Sequence, residues 1–134
     1  MTQASHLPIS SDADIVAARQ VGRTLATQAG FTGSDLTLIA TAISEIARNI
    51  VVYAGHGDMT MELCERDGRR GIVVSARDDG PGIPDVELAM RDGYSTGRSL
   101  GLGLPGARRL MDEFEIASAV GKGTTITMRK WARR

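Results

Sequence analysis

A chain of 134 residues with sixteen basic and sixteen acidic side chains has no global field for nucleic acid or an anionic membrane, and the basic WARR at its end is too short to supply one. One domain spanning residues 1–134 fits this length, with a core that needs neither disulfides nor a structural metal. The lone Cys64, the absence of zinc-like Cys/His spacing, an N-terminal MTQASHLPIS without signal-peptide character and the lack of any run of about eighteen apolar residues lead to the expectation of a cytoplasmic protein that avoids membranes.

SHLPI is expected as a short first strand, after which SDADIVAARQVGRTLATQAG combines Ser/Asp start signals, helical periodicity and a terminal Gly30. TGSDLTLIATAISEIARNIVVYAG predicts a longer second helix, with Ser34 and Asp35 as capping candidates and Gly55 as its stop. At about 100° per residue, Leu36, Ile39, Ala40, Ile43, Ile46, Ala47 and Ile50 fall within about 60° of one direction, the stripe of a core helix. Glu45 and Asn49 lie at about 200° and 240° on the same wheel and project together from the opposite face. Alone, this pair fits a solvated surface; a matched carboxylate and amide also suit a second contact surface.

Residues 59–64 alternate, turn at Asp67-Gly68 and return through Ile72, Val73 and Val74, which predicts an antiparallel hairpin with Cys64 as a small buried residue. Residues 80–103 are rich in Gly, Ser and Pro around one short helical pattern, DVELAM, and form a candidate functional loop or lid. LPGARRLMDEF predicts a further helix with Pro105 in its first turn and i,i+4 charge partners for Arg108 and Arg109. EIASAVGKGTTITMRKW predicts two strands around a Gly turn. Met59, Met61 and Met128 are expected to fill the core or a sheet edge, and His6 and His56 to be structural or exposed. The expected fold is α+β: a two-layer α/β sandwich with helices on one face of a mixed, mostly antiparallel sheet.

Three familiar nucleotide motifs fail on context. GLGLPG at 101–106 matches GxGxxG, but the polar DGYSTGRS before it is no strand, so no βαβ dinucleotide unit follows. GKGTT at 121–125 is like the tail of a phosphate loop, yet Ile116 stands where that loop needs its first Gly. The chain has neither HRD nor DFG and is too short for a bilobal protein kinase.

Four elements in order fit better: the helix with Glu45-x-x-x-Asn49, then DDGPG at 78–82, GLGLPG, and GKGTT. This order resembles the GHKL (Bergerat-fold) nucleotide-binding family, with Glu45 and Asn49 like its N box, Asp78, Gly80 and Gly82 like its first Gly box, Gly101 and Gly103 like its second, and Gly123-Thr124 like its closing motif. More narrowly, EIARNIVVYAG, DDGPGIPD, LGLGLPGARRLMDEF and GKGTTITMRKW resemble the RsbT-type serine-protein kinases of bacterial partner-switching and stressosome pathways, over about residues 5–131.

The resemblance implies ATP with Mg2+ as cofactors. It makes Asn49 a magnesium ligand through its carbonyl oxygen and places Glu45 beside the γ-phosphate as a candidate general base. It assigns Asp78 to the adenine amino group, Gly80 and Gly82 to close approach of the base, and Thr124 to a hydroxyl contact made directly or through water. Gly101 and Gly103 would present helix N–H groups to phosphate, and Arg98 would reach either a phosphate or a partner. Asp79 fits a surface turn. The implied activity is a serine/threonine-protein kinase acting on a small STAS-domain antagonist protein and, when unbound, engaging a PPM-type serine phosphatase. The alternative is a nucleotide-dependent anti-sigma or partner-binding switch with little or no transfer; both catalytic-type residues, Glu45 and Asn49, favour the enzyme.

Overall fold

The computed structural model describes residues 4–83, 86, 90 and 103–133. In chain order these form β1 (Ser5–Ile9), α1 (Asp12–Gln28), α2 (Ser34–Tyr53), β2 (Gly57–Arg66), β3 (Arg69–Asp78), α3 (Gly103–Leu110), β4 (Glu113–Ala119) and β5 (Gly123–Trp131). The five strands make one sheet in the order β1-β2-β3-β5-β4, with every neighbouring pair antiparallel. The α+β sandwich is as expected, whereas the mixed component is not found among the described residues. β2–β3 and β4–β5 are hairpins, whereas α1 and α2 lie between β1 and β2, and β5 inserts between β3 and β4, so the chain crosses over before β4.

α1 starts where the sequence indicates. Ser11 caps it by accepting the Asp14 N–H at 3.4 Å, and the Asp14 carboxylate accepts the Ser10 N–H at 2.8 Å. That amide bond holds the Asp14 carboxyl below its ordinary range. α2 differs, because Gly33 occupies its cap position at φ 60° without a side-chain cap bond. Ser34 is therefore its first helical residue, not its cap.

The α2 stripe packs as predicted: Ile39, Ala40, Ile43, Ile46, Ala47 and Ile50 are buried, together with Met59, Met61 and Met128 from the sheet. The other side of α2 is only partly solvated. Ala42, Ser44 and Glu45 are also buried, since α1 and α3 both pack on this helix. The helix is long and apolar enough to match a membrane span, but half of that stretch is buried inside the fold. Ser44 satisfies its buried hydroxyl within the helix by donating to Ala40 O at 2.9 Å.

The β2–β3 hairpin is longer than its alternating segment, with Asp67 and Gly68 at φ 54° and 77° in the tight turn. Cys64 corrects an expectation: it is partly exposed, on the strand face opposite Met59 and Met61, and burial pushes its thiol up from the ordinary range. His6 and His56 are exposed, His6 beside Asp58 at 3.4 Å. α3 stops at Leu110, short of the expected Phe114, because Asp112 joins the sheet edge. Its N–H donates to Arg129 O at 2.9 Å and its carboxylate accepts the Trp131 N–H at 2.8 Å. Arg108 consequently donates to Met90 O at 3.4 Å instead of forming a helical charge pair with Asp112.

The far end of the sheet is closed by a side-chain cluster. Glu113 Oε2 accepts the Trp131 indole N–H at 3.0 Å and Arg66 Nη1 at 2.6 Å, while the Arg66 guanidinium lies 4.6 Å from the Trp131 ring centroid. The indole bond, reinforced by Arg66, holds the Glu113 carboxyl below its ordinary value of 4.5. A carboxyl depressed on folding stabilises above the unfolded-state value, and that contribution is lost as pH falls through the folded-state value. Thermal unfolding should therefore show Glu113→Gln melting below wild type at neutral pH, with the gap closing once pH drops well under 4.5.

Candidate functional site

The carboxylate of Glu45 is 7% exposed, and both oxygens have donors. Oε1 accepts the backbone N–H of Gly103 at 2.8 Å, and Oε2 accepts Arg48 Nη1 at 3.1 Å. Burying a carboxylate requires such partners. Each oxygen retains a second lone-pair direction, so the group can still accept a proton. Asn49 follows one turn later, half-buried, and its amide makes no hydrogen bond among the described residues. Its carbonyl oxygen is thus available to a cation. Among the described residues no three His, Cys, Asp or Glu side chains converge.

Asp78 ends β3 at 8% exposure, so its carboxylate must find donors inside the fold. Its Oδ1 accepts the Gly80 N–H at 2.9 Å and so fixes the turn that follows. Sheet register aligns Gly57, Asp78, Thr124 and Ser118 across β2, β3, β5 and β4. Thr124 is 5% exposed, and its hydroxyl lies 2.7 Å from Ser118 Oγ.

Gly80 and Gly82 have an internal steric role. A Cβ on Gly80 would stand 2.6 Å from Ala54 Cβ and 2.9 Å from Ala54 Cα, so this turn lies directly against the end of α2. Gly82 sits at φ 79°, where a Cβ would run into the Ala119 carbonyl, and beside it Pro81 O accepts the Gly121 N–H at 2.8 Å. Gly103 opens α3 at φ 67° with its N–H already on Glu45. Arg98, Gly101 and most of the expected 84–103 lid lie outside the described residues.

The C-terminal half of α2 therefore passes two polar clusters. Ala54, against Gly80, lies nine residues beyond Glu45, about 13 Å along the axis at about 1.5 Å per residue. Asn49 stands between them.

A family model described as the histidine kinase-like ATPase domain matches residues 9–130. The chain belongs to that family. The serine/threonine-protein kinase RsbT of Bacillus subtilis is 50% identical over 133 residues, 99% of this chain and 100% of the relative. The anti-sigma F factor of Caldanaerobacter subterraneus subsp. tengcongensis is 33% identical over 123 residues, covering 87% of this chain and 85% of the relative. Two solved structures share the fold. One contains the RsbU and RsbW domains of a Mycobacterium tuberculosis protein, with TM-score 0.66, 22% identity and coverage of 98% of this chain and 33% of that one. The other is the mycobacterial sensor histidine kinase MprB, with TM-score 0.57, 17% identity and coverage of 96% and 99%.

Within this histidine kinase-like ATPase frame, the structure sets Gly103 on Glu45 near the middle of α2, Asn49 one turn further on, and Gly80 against Ala54 at the helix end, with Asp78 and Thr124 paired across the sheet. It also adds residues that the motifs do not name. Arg48 is visible in retrospect as an i,i+3 partner of Glu45. Ala54 and Ser118 have no such signal, being a small residue at a helix end and a hydroxyl on an edge strand. The Gly80–Ala54 contact is directly testable: Gly80→Ala should lower the free energy of urea unfolding by about 1–3 kcal/mol through overpacking, and adding Ala54→Gly should recover part of that loss.

Proposed function

We propose that the chain is an ATP-dependent serine/threonine-protein kinase that phosphorylates a small STAS-domain protein as a switch in bacterial stress signalling. The observation that carries this reading is the line along α2, with a buried carboxylate and a helix-entry amide at one end and the Asp78–Thr124 pair at the other. Glu45 and Ala54, which packs on the turn after Asp78, lie about 13 Å apart along α2, so the two clusters are separated along one helix. Asp78 and Thr124 suit the purine, and α3 begins where phosphates need N–H donors.

Glu45 is then the proton acceptor. As the serine or threonine oxygen forms its bond to the γ-phosphorus, the hydroxyl proton passes to the Glu45 carboxylate; the bond to the β–γ bridging oxygen breaks, and ADP leaves. Arg48 and the Gly103 N–H orient the carboxylate during this step. Asn49 would hold magnesium, which when bound neutralises charge on the phosphates. By its similarity to RsbT the free kinase would also engage a PPM-type phosphatase, and the pathway would be cytoplasmic.

A second reading is an anti-sigma-like switch that binds its partner with little transfer, favoured by the 33% identity to an anti-sigma F factor. A single-turnover assay with labelled ATP, magnesium and a STAS-domain protein, run beside a pull-down of the same protein, separates the two. Glu45→Gln should slow transfer by ~10²–10⁴-fold with partner and ATP binding little changed. Asn49→Ala should abolish magnesium-dependent transfer, whereas Asp78→Asn should weaken ATP binding itself. Wild type that captures the partner and never phosphorylates it would favour the switch.

A further inference from the structure

The Ser118 hydroxyl stands at the centre of three contacts. Its Oγ accepts the Ile83 N–H at 2.8 Å, donates to Gly123 O at 3.1 Å, and lies 2.7 Å from Thr124 Oγ1. A serine hydroxyl has one proton and two lone pairs. All three contacts are hydrogen bonds at once in a single arrangement: the Ser118 proton goes to Gly123 O, and its two lone pairs receive the Ile83 N–H and the Thr124 O–H. If Ser118 donated to Thr124 instead, its bond to Gly123 O would be lost. Thr124 is 5% exposed, in a place where unmade hydrogen bonds are costly.

Thr124 therefore spends its only proton on Ser118 and presents lone pairs alone to its remaining surroundings. Its neighbour across the β3–β5 ladder, Asp78, is likewise an acceptor, with Oδ1 on the Gly80 N–H and no other donor among the described residues. Two acceptors side by side match an exocyclic amino group and repel a carbonyl oxygen. We propose that Ser118 is a positioning residue for base specificity: by taking the Thr124 proton it makes the Asp78–Thr124 pair accept a 6-amino purine and reject a 6-oxo purine. This rests on the reading of the site as a nucleotide site. It also means that a contact between Thr124 and an acceptor atom of the base runs through water.

The test is the ratio of ATP to ITP affinity, measured by calorimetry on the full chain, since ITP replaces the 6-amino group with an oxygen. Wild type should favour ATP strongly. Ser118→Ala frees the Thr124 hydroxyl to turn and donate, so the ratio should fall by about tenfold, chiefly because ITP binds better. Ser118→Thr keeps the hydroxyl and should restore the wild-type ratio. Equal weakening of both nucleotides in Ser118→Ala would mean that Ser118 only supports the loop at Ile83, and would overturn the proposal. Should Ser118→Ala fail to fold, Thr124→Val decides: loss of an acceptor lowers the ATP/ITP ratio, whereas an unchanged or raised ratio overturns the assignment. Wild type that binds neither nucleotide would sink the nucleotide reading and this inference with it, while ATP binding with a ratio that Ser118→Ala leaves unmoved would sink this inference alone.

Discussion

A carboxylate buried on a core helix must find its donors inside the protein, and Glu45 finds them in Arg48 on its own helix and in the first amide of α3. This constraint ties the parts together. α2 is held by the sheet through its isoleucine stripe and by α3 on the side that carries Glu45. The free N–H groups that any helix leaves at its start are here partly met by a side chain from another element. Because α3 begins at Gly103 in a left-handed conformation, the entry to that helix and the placement of Glu45 form one local structure.

The sheet supplies the other end of the site by the same economy of register. One cross-strand row runs from Gly57 through Asp78 and Thr124 to Ser118, on the face that also carries Val74, Ala76, Ile126 and Met128 into the core. Small residues let the surrounding chain close around it. A Cβ on Gly57 would press on Ile50 of α2 and on Asp78, one on Gly123 would collide with the Asp78 carbonyl, and one on Gly80 would meet Ala54. The polar groups of this row consequently sit on regular elements packed against α2.

Arg48 illustrates how a charge pair can be local in sequence and still belong to a site. An exposed i,i+3 pair is ordinarily worth little. Here one member is buried, so the guanidinium orients a group that water cannot reach freely, and its removal would leave Glu45 with the Gly103 amide as its described donor. Glycines 80 and 82 show the converse. Their place in a nucleotide motif suggests room for a ligand, while the contacts they make give a steric reason for Gly that holds before any ligand arrives.

The sequence by itself determined the succession of helices and strands, the isoleucine stripe of α2, the β2–β3 turn at Asp67-Gly68 and the ordered set of motif residues. Each of these is written in a local period or a turn residue, relations spanning a few positions that a wheel or an alternation can read. The burial of Glu45 was not legible, because its helical wheel shows a polar face and only the docking of α3, with Gly103 58 positions away, turns that face inward. The end of α3 at Leu110 has a similar cause: Asp112 finds partners on β5 that outcompete another helical turn. Ser118 gained its place beside Thr124 from the β4–β5 register, and Ile83 N–H reached it across 35 positions. Tertiary structure decided these contacts because strand register and helix docking depend on the simultaneous packing of the whole core, and no short window of residues encodes that sum.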